Sequence, residues 1–131
     1  FSMDEKKISV ENDIQVKTLH IDKGLFERAL RNIIENAIKY SPEKSEISIS
    51  FIPLNGRTRI QVKDQGPGIP KEFQERIFDR FFRVESSRSR EQKIGGSGLG
   101  LALVKRIVEA HRGSVGVESA PGTGSLFWID L

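Results

Sequence analysis

The sequence predicts an α+β fold: a two-layer sandwich in which a mixed sheet of about five strands packs on three helices. Two observations carry this. Stretches with apolar residues at every second position read as strands, and several come in pairs. Two long stretches with apolar residues three and four apart read as amphipathic helices lying between strands. One sheet face is then covered by helices and the other lies nearer solvent. At 131 residues the chain suits one domain with one core, so residues 1–131 are expected to form a single unit.

The elements follow in order. ISVEND and VKTLHI, within residues 7–21, are short extended candidates. Asp22 is placed to cap a helix running to Tyr40, with Phe26, Ala29, Leu30, Ile33, Ile34 and Ala37 on its buried face. Ser41-Pro42 ends it. EISISFI alternates with Ile47, Ile49 and Phe51 on one side, and Asn55-Gly56 signals a hairpin into RTRIQVKD. DQGPGIP is a turn, and KEFQERIFDRFF reads as a short helix. Residues 83–97 read as a mobile polar loop tipped with glycine. LGLALVKRIVEAH is the second long helix; GSVGVES and GSLFWIDL are closing strands joined by the turn Pro121-Gly122-Thr123-Gly124.

Composition removes several classes of function. The chain is 37% hydrophobic and 30% charged, which reads as globular and not disordered. No apolar run approaches the roughly 20 residues of a membrane span, and no signal peptide is visible. The absence of cysteine excludes disulfides, thiolate metal sites and a cysteine nucleophile. His20 and His111 are too far apart in sequence to suggest a histidine-rich metal site. The net charge of +3 comes from 21 basic residues interleaved with 18 acidic ones, so no basic stripe marks a nucleic-acid surface.

Three motifs carry chemistry. On the first long helix Asn32, Asn36 and Lys39 fall within roughly 60° of one another, with Arg28 extending the stripe along the border of the apolar arc. Neutral amide oxygens suit Mg2+ and a lysine suits phosphate, although such a stripe alone is more often a solvated polar face. Asp64 shares parity with Ile60 and Val62 and should point inward at a strand end. An inward carboxylate needs donors, which an exocyclic purine amine could supply, or which a self-capping turn could supply equally well. Gly66 and Gly68 would let backbone pass close to a flat ligand. Gly95, Gly96, Gly98 and Gly100 lead straight into a helix, and free N–H groups there form an anion site. No GK[ST] follows them, Leu101 stands at the last glycine position of the dinucleotide fingerprint, and neither HRD nor DFG occurs.

In order, ALRNIIENAIKYSP, DQGPGIP, IFDRFFRVE, GGSGLGLALVK and GTGSLFWIDL resemble the N box, first glycine box, F box, second glycine box and third glycine box of the ATP-binding catalytic domain of sensor histidine kinases. The wider superfamily includes gyrase, Hsp90 and MutL. The boxes span about Phe26 to the C-terminus, and IVEAH before the closing strands has the same look, with Arg112-Gly113 where the family often has two glycines. The resemblance implies ATP and Mg2+ as cofactors. It implies Asn36 as metal ligand, Asn32 near phosphates or metal, Lys39 on phosphate and Tyr40 near the nucleotide. Asp64 would accept from the adenine amine, with Gly66, Gly68 and Ile69 shaping the pocket and Gly122, Thr123 and Gly124 closing it. Phe82 would adjoin the nucleotide, and Arg83 would stabilise the γ-phosphate during transfer. Gly96, Ser97, Gly98, Leu99, Gly100 and Leu101 would line the phosphates, with residues 84–95 as the ATP lid.

ATP-hydrolysing relatives carry a glutamate four residues before the metal asparagine, where this chain has Asn32. An amide is no general base, so phosphoryl transfer is favoured over hydrolysis. Glu35 lies toward the solvent side of the stripe. The expected function is transfer of the γ-phosphoryl group to a histidine on a separate dimerisation domain in two-component signalling. No acceptor box is visible, and Phe1-Ser2-Met3 reads as a cloning remnant or a cut inside a longer kinase. Expected partners are that dimerisation domain and, through the full-length kinase, a response regulator, with no nucleic acid or membrane contact by this domain and a cytoplasmic location. Alternatives are a serine kinase of the anti-sigma-factor type, an ATP-gated clamp and a nucleotide-sensing module.

Overall fold

The structure is a computed structural model that describes residues 9–14, 21–80, 100–120 and 122–131. Its strands are β1 (Ser9–Ile14), β2 (Glu46–Leu54), β3 (Arg57–Lys63), β4 (Ser114–Ala120) and β5 (Gly124–Asp130). Its helices are α1 (Lys23–Tyr40), α2 (Lys71–Gln74) and α3 (Gly100–Ala110). The expected α+β sandwich is found.

The sheet has five strands in the order β1-β2-β3-β5-β4. β1 runs parallel to β2, and the other pairs are antiparallel, so the sheet is mixed. A parallel pair needs a crossover, and α1 lies within the one joining β1 to β2. Asn55 and Gly56 both have positive φ, 54° and 78°, as a two-residue hairpin turn with the sheet's own twist requires. Of the two early extended candidates, ISVEND is β1 within one residue, and VKTLHI lies outside the described residues up to its last position.

Helix α1 begins where expected. The Asp22 side chain accepts from the Leu25 N–H at 2.9 Å, satisfying one orphan donor of the first turn. The helix ends at Ser41, whose N–H donates back to Ala37 and Ile38. His111, just past α3, ties the two long helices together. Its Nε2 accepts from the Asp22 N–H at 3.1 Å, so the ring hydrogen sits on Nδ1 and donates to the Ile107 carbonyl at 2.9 Å. Ala29, Ile33, Ala37, Val104, Ile107 and Val108 bury their side chains against Ile47, Ile49, Ile60, Val62, Phe127 and Ile129 of the sheet. Phe26 and Phe51 meet edge to face at the rim, ring centroids 6.1 Å apart.

One expected element is shorter than the sequence suggests. KEFQERIFDRFF was expected as a helix, and among its described residues only Lys71–Gln74 is helical. Pro70 begins it without a side-chain cap, and a single turn gains little from propagation. Tight turns follow, with Arg76 N–H bonded to Phe73 and Asp79 N–H to Arg76. They drop the adjacent Ile77 and Phe78 into the core together, where Phe78 meets Phe127 edge to face. Phe81 and Phe82 lie outside the described residues.

The opposite sheet face carries no described helix. Arg59 there grips Asp130 through two bonds of 2.6 and 2.7 Å, and its guanidinium lies 4.5 Å from the ring centre of Trp128. The Trp128 ring covers Gly116, where a Cβ would come within 2.3 Å of it.

Candidate active site

The candidate site is built around the end of β3. Lys63 pairs with Leu126 of β5, so the next residue along, Asp64, stands beside Ser125. The Asp64 N–H donates to the Ser125 carbonyl at 2.8 Å, continuing the ladder by one bond. Strand parity turns the Asp64 side chain to the helix-covered face, where it is 4% exposed. Its Oδ1 accepts two backbone N–H groups, from Gly66 at 2.9 Å and Ser125 at 3.1 Å. Among the described residues both donors fall on Oδ1. Burial pushes the Asp64 carboxyl above the usual carboxylate range, opposed by those two N–H groups.

The loop after Asp64 is held from several sides. A Cβ on Gly66 would stand 2.7 Å from the Tyr40 carbonyl, so glycine lets the loop lie against the last turn of α1. Gly68 has φ 84°. The Pro67 carbonyl accepts from the Gly122 N–H at 2.7 Å, joining this loop to the β4–β5 turn. Gly124 has φ 97°, and a Cβ there would meet the Asp64 carbonyl at 2.2 Å. Ile69 donates its N–H to Ser119 Oγ at 2.7 Å, and Gln74 Nε2 donates to the carbonyls of Ile69 and Ser119, each at 2.9 Å. Thr123 is exposed, with its hydroxyl turned back to the Ala120 carbonyl at 2.8 Å.

Helix α1 links this pocket to the start of α3. Asn32, Asn36 and Lys39 are all half-buried and border the core, whereas Arg28 and Glu35 are exposed. A Cβ on Gly100, the first residue of α3, would be 3.9 Å from Asn32 Cγ. The opening of α3 therefore faces the middle of α1, while the Asp64 loop abuts its end. Lys39 Nζ lies 5.0 Å from the ring centre of Tyr40, which is 36% exposed. Among the described residues no group of three or more His, Cys, Asp or Glu side chains could hold a metal ion. A divalent ion here would rest on a neutral amide oxygen such as that of Asn36 together with ligand oxygens, hard donors that suit Mg2+.

The family model for the histidine kinase-, DNA gyrase B- and HSP90-like ATPases matches residues 21–131. The chain belongs to this family. It is 44% identical over 129 residues to the sensor-like histidine kinase SenX3 of Mycolicibacterium smegmatis, covering 98% of this chain and 33% of that protein. It is 46% identical over 116 residues to the sensor histidine kinase WalK of Bacillus subtilis, covering 86% of this chain and 18% of that protein. The chain thus spans about a third or less of the length of these curated relatives. Among solved structures, the mycobacterial sensor histidine kinase MprB superposes with a TM-score of 0.83 at 30% identity, covering 98% of this chain and 85% of that one. The catalytic domain of histidine kinase ThkA superposes with a TM-score of 0.81 at 25% identity, covering 98% and 81%.

Of the expected residues within the described chain, Gly66 lies against the end of α1 and is bonded to Asp64, Gly100 lies near Asn32 in the middle of α1, Ile69 is bonded to Ser119 and Gln74, and Thr123 follows Gly122 on the turn bonded to Pro67. Phe82, Arg83, the lid at 84–95, Gly96, Ser97, Gly98 and Leu99 lie outside the described residues. Ser119, Ser125 and Gln74 went unnoticed in the sequence. A signal existed for the two serines: each shares parity with core residues of its strand, Val115 and Val117 for Ser119, and Phe127 and Ile129 for Ser125.

Proposed function

We propose that residues 1–131 form one ATP-binding catalytic domain, which binds ATP with Mg2+ and donates the γ-phosphoryl group to a histidine on a separate dimerisation domain. The carrying observation is the buried Asp64, with both described backbone donors on Oδ1; in this reading Oδ2 accepts from an exocyclic amine. That arrangement suits adenine, whose N6 donates, and disfavours guanine, whose O6 accepts. The loop at Gly66, Gly68 and Ile69 lines the base, with Tyr40 and Thr123 at its margin. Asn36 offers an amide oxygen to the metal, Asn32 faces the phosphate end, and Lys39 adds positive charge. Gly96, Ser97, Gly98, Leu99, Gly100 and Leu101 cradle phosphate at the helix opening. By the family resemblance, Phe82 is assigned to nucleotide binding and Arg83 to stabilising charge on the transferring group.

Bound ATP-Mg2+ supplies the phosphoryl donor; the protein's share is positioning and charge neutralisation. The acceptor imidazole attacks phosphorus, an N–P bond forms, the bond to the bridging oxygen breaks, and ADP leaves. Asn32 stands where hydrolysing relatives carry glutamate, and its amide cannot act as a general base for water. The dimerisation domain and, through the full kinase, a response regulator are the partners. No helix among the described residues is long and apolar enough to cross a membrane, and a cytoplasmic location is part of the proposal.

Calorimetry with ATP, with and without Mg2+ and with GTP as control, tests the pocket. Mixing the domain with a dimerisation domain and labelled ATP tests the transfer. Mg2+-dependent, adenine-selective binding followed by an acid-labile, base-stable phosphoprotein is expected. Rapid ATP hydrolysis without acceptor labelling would refute the kinase reading.

A further inference from the structure

The loop from Gln65 to Pro70 belongs to no strand or helix, so its backbone groups need partners outside a regular ladder. Ile69 is the most firmly held. Its N–H donates to Ser119 Oγ at 2.7 Å and its carbonyl accepts from Gln74 Nε2 at 2.9 Å. The second Gln74 hydrogen goes to the Ser119 carbonyl at 2.9 Å, which uses the whole amide donor group. The Ser119 hydroxyl donates its only hydrogen to the Gly124 carbonyl at 2.8 Å. Ser125 Oγ, 3.1 Å away, must then be the donor to Ser119. Ser119 Oγ thus accepts from the loop and from Ser125 of β5 while donating to Gly124, the first residue of β5.

Each end of this cluster reaches Asp64. Ser125, bonded to Ser119 by its hydroxyl, gives its backbone N–H to Asp64 Oδ1. Gly66, in the loop fastened at Ile69, gives the other. The two donors that orient the carboxylate therefore belong to segments that Ser119 and Gln74 clamp together. Neither side chain needs to touch a nucleotide to affect one.

We propose that Ser119 and Gln74 are positioning residues for the adenine end of the site, setting the aim of Asp64 Oδ2 by locking the glycine loop to the end of β4 and the start of β5. The inference rests on the ATP-binding reading above and deepens it. Ser119→Ala orphans the Ile69 N–H and releases the Gly124 carbonyl and the Ser125 hydroxyl. Gln74→Ala frees the Ile69 and Ser119 carbonyls and leaves the Ser119 hydroxyl in place.

The test combines nucleotide calorimetry with hydrogen exchange at the Ile69 amide, followed by NMR. For Ser119→Ala, ATP and ADP should both weaken by roughly tenfold, the value of one or two lost bonds. The same factor for both nucleotides marks the base end and not the phosphates. The ATP-over-GTP ratio should narrow, Ile69 should exchange faster, and Ser119→Thr, which keeps the hydroxyl, should recover both. Should Ser119→Ala fail to fold, Gln74→Ala carries the test, with a smaller loss of about threefold expected. A folded variant with wild-type affinity and an unchanged ATP-over-GTP ratio would overturn the proposal. If the wild-type domain itself bound no ATP, the functional reading would fall; Ile69 exchange unchanged in both variants would sink the clamp independently.

Discussion

Asp64→Asn separates the binding role of Asp64 from its structural one. Both backbone donors converge on Oδ1, so the asparagine oxygen must take that place, and its NH2 must then occupy the Oδ2 position. A group that accepted becomes a group that donates. Against adenine the variant loses a charge-assisted bond and sets N–H against N–H, a loss of about 3 kcal/mol, or about two orders of magnitude in Kd. Against guanine the new NH2 faces O6, so GTP should gain relative to ATP. Stability should move the other way. The ionised carboxylate is penalised by burial, and the neutral amide keeps both backbone bonds, so the thermal midpoint should hold or rise. Calorimetry with ATP and GTP, beside a thermal scan, reads all three effects. A variant that kept wild-type ATP affinity and preference would refute the placement of the base at Oδ2.

The raised carboxyl of Asp64 also sets a pH dependence. The folded state holds this proton more tightly than the unfolded one, so its contribution to stability is greatest below the unfolded value of about 3.9. Stability is then lost as pH rises through the window up to the raised folded value. ATP binding, which needs the ionised form, should weaken as pH falls through that same folded value, and this component should vanish in Asp64→Asn. Gly66→Ala forces a Cβ against the Tyr40 carbonyl, so it should cost about 1–3 kcal/mol of stability in a denaturant titration and displace the Gly66 N–H from Asp64. Asn36→Ala should remove the Mg2+ dependence of ATP affinity while leaving the fold intact; dependence that survived would exclude Asn36 as a ligand.

Much of the architecture could be read from local rules because those rules act locally. The Asp22 cap, the Ser41-Pro42 stop and the Asn55-Gly56 hairpin are each decided within a few residues, and each stands where expected. Parity alone turned Asp64 inward, counting from Ile60 and Val62. What stayed hidden depends on long-range order. Ser119 meets Ser125, and Ser125 meets Asp64, because β5 inserts between β3 and β4. No residue near either serine encodes that insertion. The early end of α2 was hidden too: Phe73, Ile77 and Phe78 fit a helical period, yet the backbone turns after Gln74. Gln74 becomes a clamp through that short helix and the strand beside it.

Trp128 is the only tryptophan in the chain and lies on the face of β5 opposite Phe127 and Asp64. Its ring rests on Gly116 under the Arg59 guanidinium, so its fluorescence depends on β3, β4 and β5 remaining assembled. The sheet itself screens it from the nucleotide pocket. The protein therefore carries a built-in optical reporter of the sheet that a bound nucleotide does not directly quench. An upward shift of its unfolding curve with added ATP would measure affinity through the folding equilibrium alone, with no dye or label.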